Sequence, residues 1–143
     1  MKRIKIRLPE SFTFSTELTV RVSDMNYGGH LSNDSLLAFL HEARLRFLEK
    51  YGYSEKDVCG YGLIMAGSAI EYKAQAFRKD VIRIDVAAED FGQYGFTVFY
   101  RCTDSGSSAE VARAQTGMVV FDYNENRIVP VPEEFRKALT DRA

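Results

Sequence analysis

The sequence predicts an α+β domain in which an antiparallel sheet of about five strands wraps one long central helix. Three observations carry this prediction. After Leu31, the residues Leu36, Leu37, Phe39, Leu40, Ala43, Leu45, Phe47 and Leu48 cover more than one helical stripe, so the helix they form has to be largely enclosed. From Leu63 onward the apolar pattern changes to period two and keeps it through four stretches. Those stretches follow one another through short polar or glycine-bearing breaks, which suits antiparallel pairing and leaves no room for crossover helices. A chain of 143 residues with 45% hydrophobic and 13% aromatic side chains buries a core of one domain, residues 1–143.

Taken in order, Arg3 to Leu8 alternates and reads as an edge strand that Pro9 interrupts. Phe12 to Ser23 resumes as a strand with Phe12, Phe14, Leu18, Val20 and Val22 on one parity. Met25 to Leu31, with Asn26 and the Gly28-Gly29 pair, permits positive φ and forms a turn. Ser32, Asn33 or Asp34 caps the helix that follows, and Gly52 suits its far end. Ser54 to Gly60 reads as a short helix or turn that only connects. The four remaining strands are Leu63 to Phe77, Val81 to Glu89, Phe96 to Thr103 and Glu110 to Tyr123; Ile82, Ile84, Val86 and Ala88 share one face, and Phe96, Val98 and Tyr100 another. Pro130 and Pro132 stop the sheet, and Glu133 to Leu139 forms a short helix with acids at its start and Arg136 and Lys137 towards its end.

Charge narrows the function classes. With 19 basic and 20 acidic residues and a net charge of -1, nothing points to nucleic acid or an anionic membrane as a partner. Cys59 and Cys102 form neither a CxxC nor a disulfide framework, which fits free thiols in a reducing compartment. The opening MKRIKIRLPE lacks an apolar run of signal-peptide or membrane length, so the expectation is a cytoplasmic protein. Gly60, Gly62 and Gly67 make no dinucleotide fingerprint. The two histidines, with no third ligand at a recognisable spacing, predict no metal site.

Polar chemistry gathers where the helix begins. Asp24, Asn26, His30, Ser32, Asn33, Asp34 and Ser35 lie within one short span that feeds the helix N-terminus, where unpaired N–H groups favour negative charge. These residues also have structural readings: Asp24 as a turn cap, Asn33 and Asp34 as helix caps, His30 as a hydrogen-bonding partner. His41 and Glu42 read as an exposed helix face, and Tyr72, Phe77, Phe96, Phe99 and Tyr100 as sheet packing.

The element order, with Asp24-Met25-Asn26-Tyr27-Gly28-Gly29-His30-Leu31-Ser32-Asn33 before the helix and His41-Glu42-Ala43-Arg44 within it, resembles the hot-dog-fold acyl-CoA thioesterases, the 4-hydroxybenzoyl-CoA thioesterase group in particular. The family pattern is approximately D-x-D-x-x-G-H-V-N-N, followed by E-x-A-R or a close variant. Asp24 matches its first acid, Gly29-His30 its Gly-His pair and Asn33 its second Asn. The second acid, catalytic in many members, is replaced by Asn26, whose amide cannot titrate or act as a general base. Plant acyl-carrier-protein thioesterases resemble the stretch differently: their Asp-x-Asn step fits Asp24-Met25-Asn26, but His30 lies two residues farther along than theirs.

The resemblance implies hydrolysis of an acyl- or aryl-CoA at the helix entrance, with coenzyme A as part of the substrate and no separate cofactor. Asp24 is the preferred base or nucleophile, Asn26 positions water or the carbonyl, and His30 carries a proton or orients the site beside Asn33; Asp34 and Glu42 are rival carboxylates. Tyr27 and Gly29 are expected to touch substrate, and Lys73, Arg78 and Lys79 to hold CoA phosphates unless they form an ordinary solvated turn. The resemblance further implies a homo-oligomer, a dimer or a dimer of dimers, that shares its sites. Two other functions stay open: a hot-dog hydratase or dehydratase, and a non-catalytic acyl-CoA binding protein, the latter because Asn26 stands where an acid is usual.

Overall fold

The computed structural model describes residues 1–141. In chain order it contains β1 (Phe14–Thr19), a single 3-10 turn (Val22–Asp24), α1 (Asn33–Lys50), β2 (Gly62–Tyr72), β3 (Val81–Glu89), β4 (Gly95–Asp104), β5 (Glu110–Asp122), β6 (Arg127–Ile128) and α2 (Glu133–Thr140). The strands form one antiparallel sheet in the order β1-β3-β4-β5-β2, and β6 pairs with β5 beyond the end of β4. This is the layout the resemblance implies, a sheet curled round one helix.

The register explains how period two becomes two different faces. One rung runs Phe14, Val86, Tyr100, Ala114, Ile70 across the five main strands, and it faces α1. The neighbouring rung runs Ser15, Asp85, Arg101, Arg113, Glu71 and faces away. A slip of one residue would exchange these rows, so the hydrophobic pattern fixes the pairing. Against the inner face α1 buries Leu36, Phe39, Leu40, Ala43, Phe47 and Leu48. Each large side chain removed from water there contributes about 1.5 to 3 kcal/mol before the entropy of ordering is set against it. At one end of the sheet α2 closes the core through Phe135, which is fully buried and meets the rings of Tyr53 and Phe96 at 4.9 and 5.5 Å. Among the described residues no helix is long and apolar enough to cross a membrane.

Several expectations need correction. The helix is largely but not wholly enclosed: Leu37 is 41% exposed, with Ala38 and His41 exposed beside it on the flank towards β2, and Glu42 is exposed on the β1 side next to Arg46. Among the described residues Arg3 to Leu8 pairs with no strand; its alternation arises because the segment lies over the charged outer face. There Phe12 stacks under Arg101 at 4.9 Å, Ile6 is buried, the Ile6 N–H donates to Glu71, and the Ile6 carbonyl accepts from Arg113. The first strand ends at Thr19, and Val22, 70% exposed, falls in the 3-10 turn. Of the two readings for Ser54 to Gly60 the turn holds, closed by isolated bridges, and the two-residue β6 makes the sheet six-stranded where the sequence predicts about five strands. Both cysteines are free, Cys59 exposed and Cys102 buried. Burial, with Asp85 and Glu110 nearby, pushes the Cys102 thiol up to about 12.

Candidate active site

The segment before α1 folds into a small closed loop. Met25 and Leu31 bridge across it, the Asn26 N–H donates to the His30 carbonyl at 2.9 Å, and the Gly29 N–H to the Asn26 carbonyl at 3.1 Å. Gly29 sits at φ +80°, a backbone glycine adopts without strain. The Asn26 side-chain oxygen accepts from the N–H groups of Gly28 at 2.9 Å and His30 at 3.4 Å, so this amide holds the loop from inside. Two further bonds anchor it, Leu31 N–H to the Ala76 carbonyl at 2.7 Å and Ser32 N–H to the Asp24 carbonyl at 2.9 Å. Tyr27 stands fully exposed at the tip.

Ser32 is the N-cap of α1, its hydroxyl accepting from Ser35 N–H at 3.2 Å. Among the described residues the Asn33 N–H, first in the helix, has no protein acceptor. Asn33 lines a cleft of about 250 Å³ together with His30 and Leu36 on the helix side and Tyr72, Lys73 and Gln75 at and just beyond the end of β2. His30 Nδ1 lies 3.3 Å from the Leu31 carbonyl. A carbonyl only accepts, so this contact selects the tautomer with the proton on Nδ1 and leaves Nε2 as the acceptor. Asp34, exposed in the first turn, is held below the usual carboxylate range by the Ser32 hydroxyl and then by the N–H groups at the helix start. Burial first, and then the charge of Asp34, push the Tyr72 phenol up; Asp34 itself is not part of the cleft lining.

Asp24 stands elsewhere. It is 5% exposed and takes three hydrogen bonds from Arg21: backbone N–H at 2.8 Å, Nε at 3.1 Å and Nη2 at 3.2 Å. Burial works to raise its carboxyl, but the bonds and charge of Arg21 outweigh that and hold it below the ordinary range. The hollow it borders is lined by Arg21, Phe39, Glu42 and Arg46, and His30 is not part of it. The structure thus brings His30, Asn33 and Lys73 to one cleft with Asp34 beside it, and sets Asp24 and Glu42 together at another. Lys73 is paired with Glu71 at 3.5 Å and Glu110 at 3.4 Å. Arg78 and Lys79 are exposed in the β2–β3 turn outside the cleft lining. Sequence reasoning missed Tyr72 and Gln75. The strand pattern assigns Tyr72 to sheet packing, yet it is 45% exposed; the available signal was its position at the last residue of β2, next to the helix start.

The profile of the thioesterase-like superfamily matches residues 20–139, and the chain belongs to that family. Together with the antiparallel sheet round one helix, this places the chain among the hot-dog proteins of the thioesterase-like superfamily. The 1,4-dihydroxy-2-naphthoyl-CoA hydrolase of Synechocystis is 24% identical over 132 residues, spanning 90% of this chain and 96% of that one. The solved structure of the Synechocystis 1,4-dihydroxy-2-naphthoyl-CoA thioesterase superposes with a TM-score of 0.82 at 23% identity, over 90% and 96% of the two chains. A probable thioesterase from Escherichia coli gives 0.76 at 20% identity, over 89% and 96%. At these identities the superpositions speak for the fold alone.

Proposed function

We propose that the chain hydrolyses an acyl- or aryl-CoA thioester to the free acid and coenzyme A in the His30–Tyr72 cleft. The observation that carries this reading is an ionised, exposed carboxylate, Asp34, beside a helix-start N–H with no protein partner. In this scheme the thioester carbonyl oxygen accepts from the Asn33 N–H, and the helix dipole favours the charge that develops on it. Asp34 takes a proton from water, the water oxygen bonds to the carbonyl carbon, and the C–S bond breaks; the proton ends on the departing sulfur. His30 Nε2, held as an acceptor, orients the water. Asp34 is preferred to Asp24 as the base because Arg21 occupies the Asp24 oxygens. Asn26 supports the loop, and Lys73, with Arg78 and Lys79 farther along the same turn, meets the CoA phosphates.

A homo-oligomer belongs to the same reading. The outer edge of β2 pairs with no strand among the described residues, and Met65 and Leu37 are exposed beside it, an apolar edge that a second copy would cover.

The test is CoA thiol release from a panel of thioesters running from acetyl to palmitoyl and including benzoyl and phenylacetyl. Wild type is expected to turn over at least one, and Asp34→Asn to lose about a hundredfold or more, the size expected for removing a catalytic base. Silence across the panel overturns the reading, and a collapse confined to Asp24→Asn reassigns the base.

A further inference from the structure

We propose that the N-terminal arm, residues 1–11, seats the 3′-phosphate of coenzyme A beside the His30–Tyr72 cleft, with Arg3, Lys5 and Arg7 as its cations. The inference rests on the thioesterase reading above for its ligand, and it concerns a stretch outside residues 20–139, which the family profile matches. Lys2, Arg3, Lys5 and Arg7 are exposed, and none of them makes an ion pair or a side-chain hydrogen bond among the described residues. The one acid of the arm, Glu10, lies beyond Pro9.

The arm is held in place at both ends. Where β1 begins, the Thr13 N–H donates to the Val86 carbonyl at 3.3 Å, and at the other side of the sheet Ile6 is buried and bonded to Arg113 of β5 and Glu71 of β2. Extended chain from Thr13 to Ile6 reaches about 23 Å, and crossing from β1 to β2 in this strand order takes about 19 Å. Little slack is left, so Lys5 and Arg3 emerge at the β2 side, where the cleft opens. With Ile6 turned into the sheet, the alternation of an extended chain puts Arg3, Lys5 and Arg7 together on its other side, about 7 Å apart.

One carboxylate joins the arm to the cleft wall. Glu71 accepts the Ile6 N–H at 3.0 Å with one oxygen and lies 3.5 Å from Lys73 Nζ with the other, and Lys73 lines the cleft. The Ile6 N–H first, opposed by burial, and then Lys73 and Arg113 hold the Glu71 carboxyl below the usual carboxylate range, so the anchor is charged at neutral pH. Lys73 is also 3.4 Å from Glu110, which accepts from Arg113 at 3.0 Å. These two acids and two cations balance one another, and the cations of the arm are left over. In the reading above the coenzyme leaves the cleft past Lys73, which brings its phosphates to the arm. The phosphate monoester on the ribose carries about −1.5 to −2 charges and three acceptor oxygens. Unpaired guanidinium and ammonium groups suit it better than a lysine already divided between two carboxylates.

The experiment compares coenzyme A with 3′-dephospho-coenzyme A in calorimetric binding, and the two corresponding thioesters of one acyl group in thiol release. The 3′-phosphate is expected to lower Kd and KM about tenfold or more with kcat unchanged, as for hydrogen bonds to charged groups. Arg3→Ala, Lys5→Ala and Arg7→Ala combined should bring both ratios towards one, with the far-ultraviolet spectrum and elution volume confirming fold and assembly, and Arg3→Lys with Arg7→Lys should keep them. Lys56→Ala, Arg127→Ala and Lys137→Ala combined remove the same charge from exposed positions elsewhere and should leave the ratios as in wild type. A wild-type ratio near one overturns the inference, as does a ratio that survives the arm substitutions or falls equally in the control. An arm variant that elutes as a smaller species also overturns it, by assigning the arm to a second copy. If no thioester is cleaved but the binding ratio depends on the arm, the hydrolysis reading fails and the phosphate seat stands; if both thioesters are cleaved with equal KM, only the seat fails.

Discussion

Asp24 and Asp34 flank the same turn, and both carboxyls titrate below the ordinary range, yet they do so for opposite reasons. Asp24 is buried, and its charge survives because Arg21 closes on it through the 3-10 turn. Asp34 is exposed and owes its ionisation to the Ser32 hydroxyl and the helix start. The first is a fastener closed by an arginine and buried under it; the second holds lighter local bonds and stays open to solvent. Position in a motif therefore does not assign chemistry, and the location of the counter-charge does.

The comparison can be broken in four ways. The largest effect should come from Asp24→Ala, which leaves the Arg21 N–H and the turn without their acceptor. A loss of about 1 to 3 kcal/mol in a denaturant titration is expected, with thiol release by the folded fraction largely retained. The converse, a stable variant with abolished release, would make Asp24 the reacting acid. Next comes pH. The folded-state carboxyl of Asp24 lies below its unfolded value, so its contribution is full above the unfolded pKa of about 3.9 and is lost as pH falls through the folded value. The stability gap between wild type and Asp24→Asn, read by urea midpoints from pH 7 downwards, should stay open to about pH 4 and narrow below it.

Asn26→Asp restores the acid that the family pattern carries at this position. A carboxylate can accept the same two N–H bonds from Gly28 and His30, so a stability change within about 1 kcal/mol is expected. Thiol release should stay near wild type; a large gain would show that the position, not Asp34, is where a base belongs. The smallest effect is Tyr27→Ala at the exposed tip, within about 0.5 kcal/mol by thermal melting.

Much of the fold was legible because long segments repeat one period. Val81 to Glu89 was read with its observed bounds, since Ile82, Ile84, Val86 and Ala88 have no alternative face to occupy. Arg3 to Leu8 misled because lying on a charged sheet gives the same alternation as pairing in one: Ile6 turns in while Lys5 and Arg7 turn out. The neighbourhood of the site was legible from its concentration of polar residues before an apolar run. Which acid is free was not, because the burial of Asp24 and its closure by Arg21 arise from chain reversal at residues 21–24, which no periodicity announces. Tyr72 was hidden for a related reason, as a strand-end aromatic looks the same in sequence whether it packs or lines a cleft.

The two cysteines have a practical consequence for every assay above that counts sulfhydryls. Cys59 is exposed and will consume a chromogenic disulfide reagent as a background of one equivalent per chain, independent of turnover and slowed because burial and the charges of Glu134 and Asp57 push its thiol up. Cys102, wholly buried with its thiol at about 12, stays silent while the chain is native. Its labelling rate is then a clock for opening of the β3–β4 core, and a Cys59→Ser chain would report unfolding and product formation on separable timescales with a single dye.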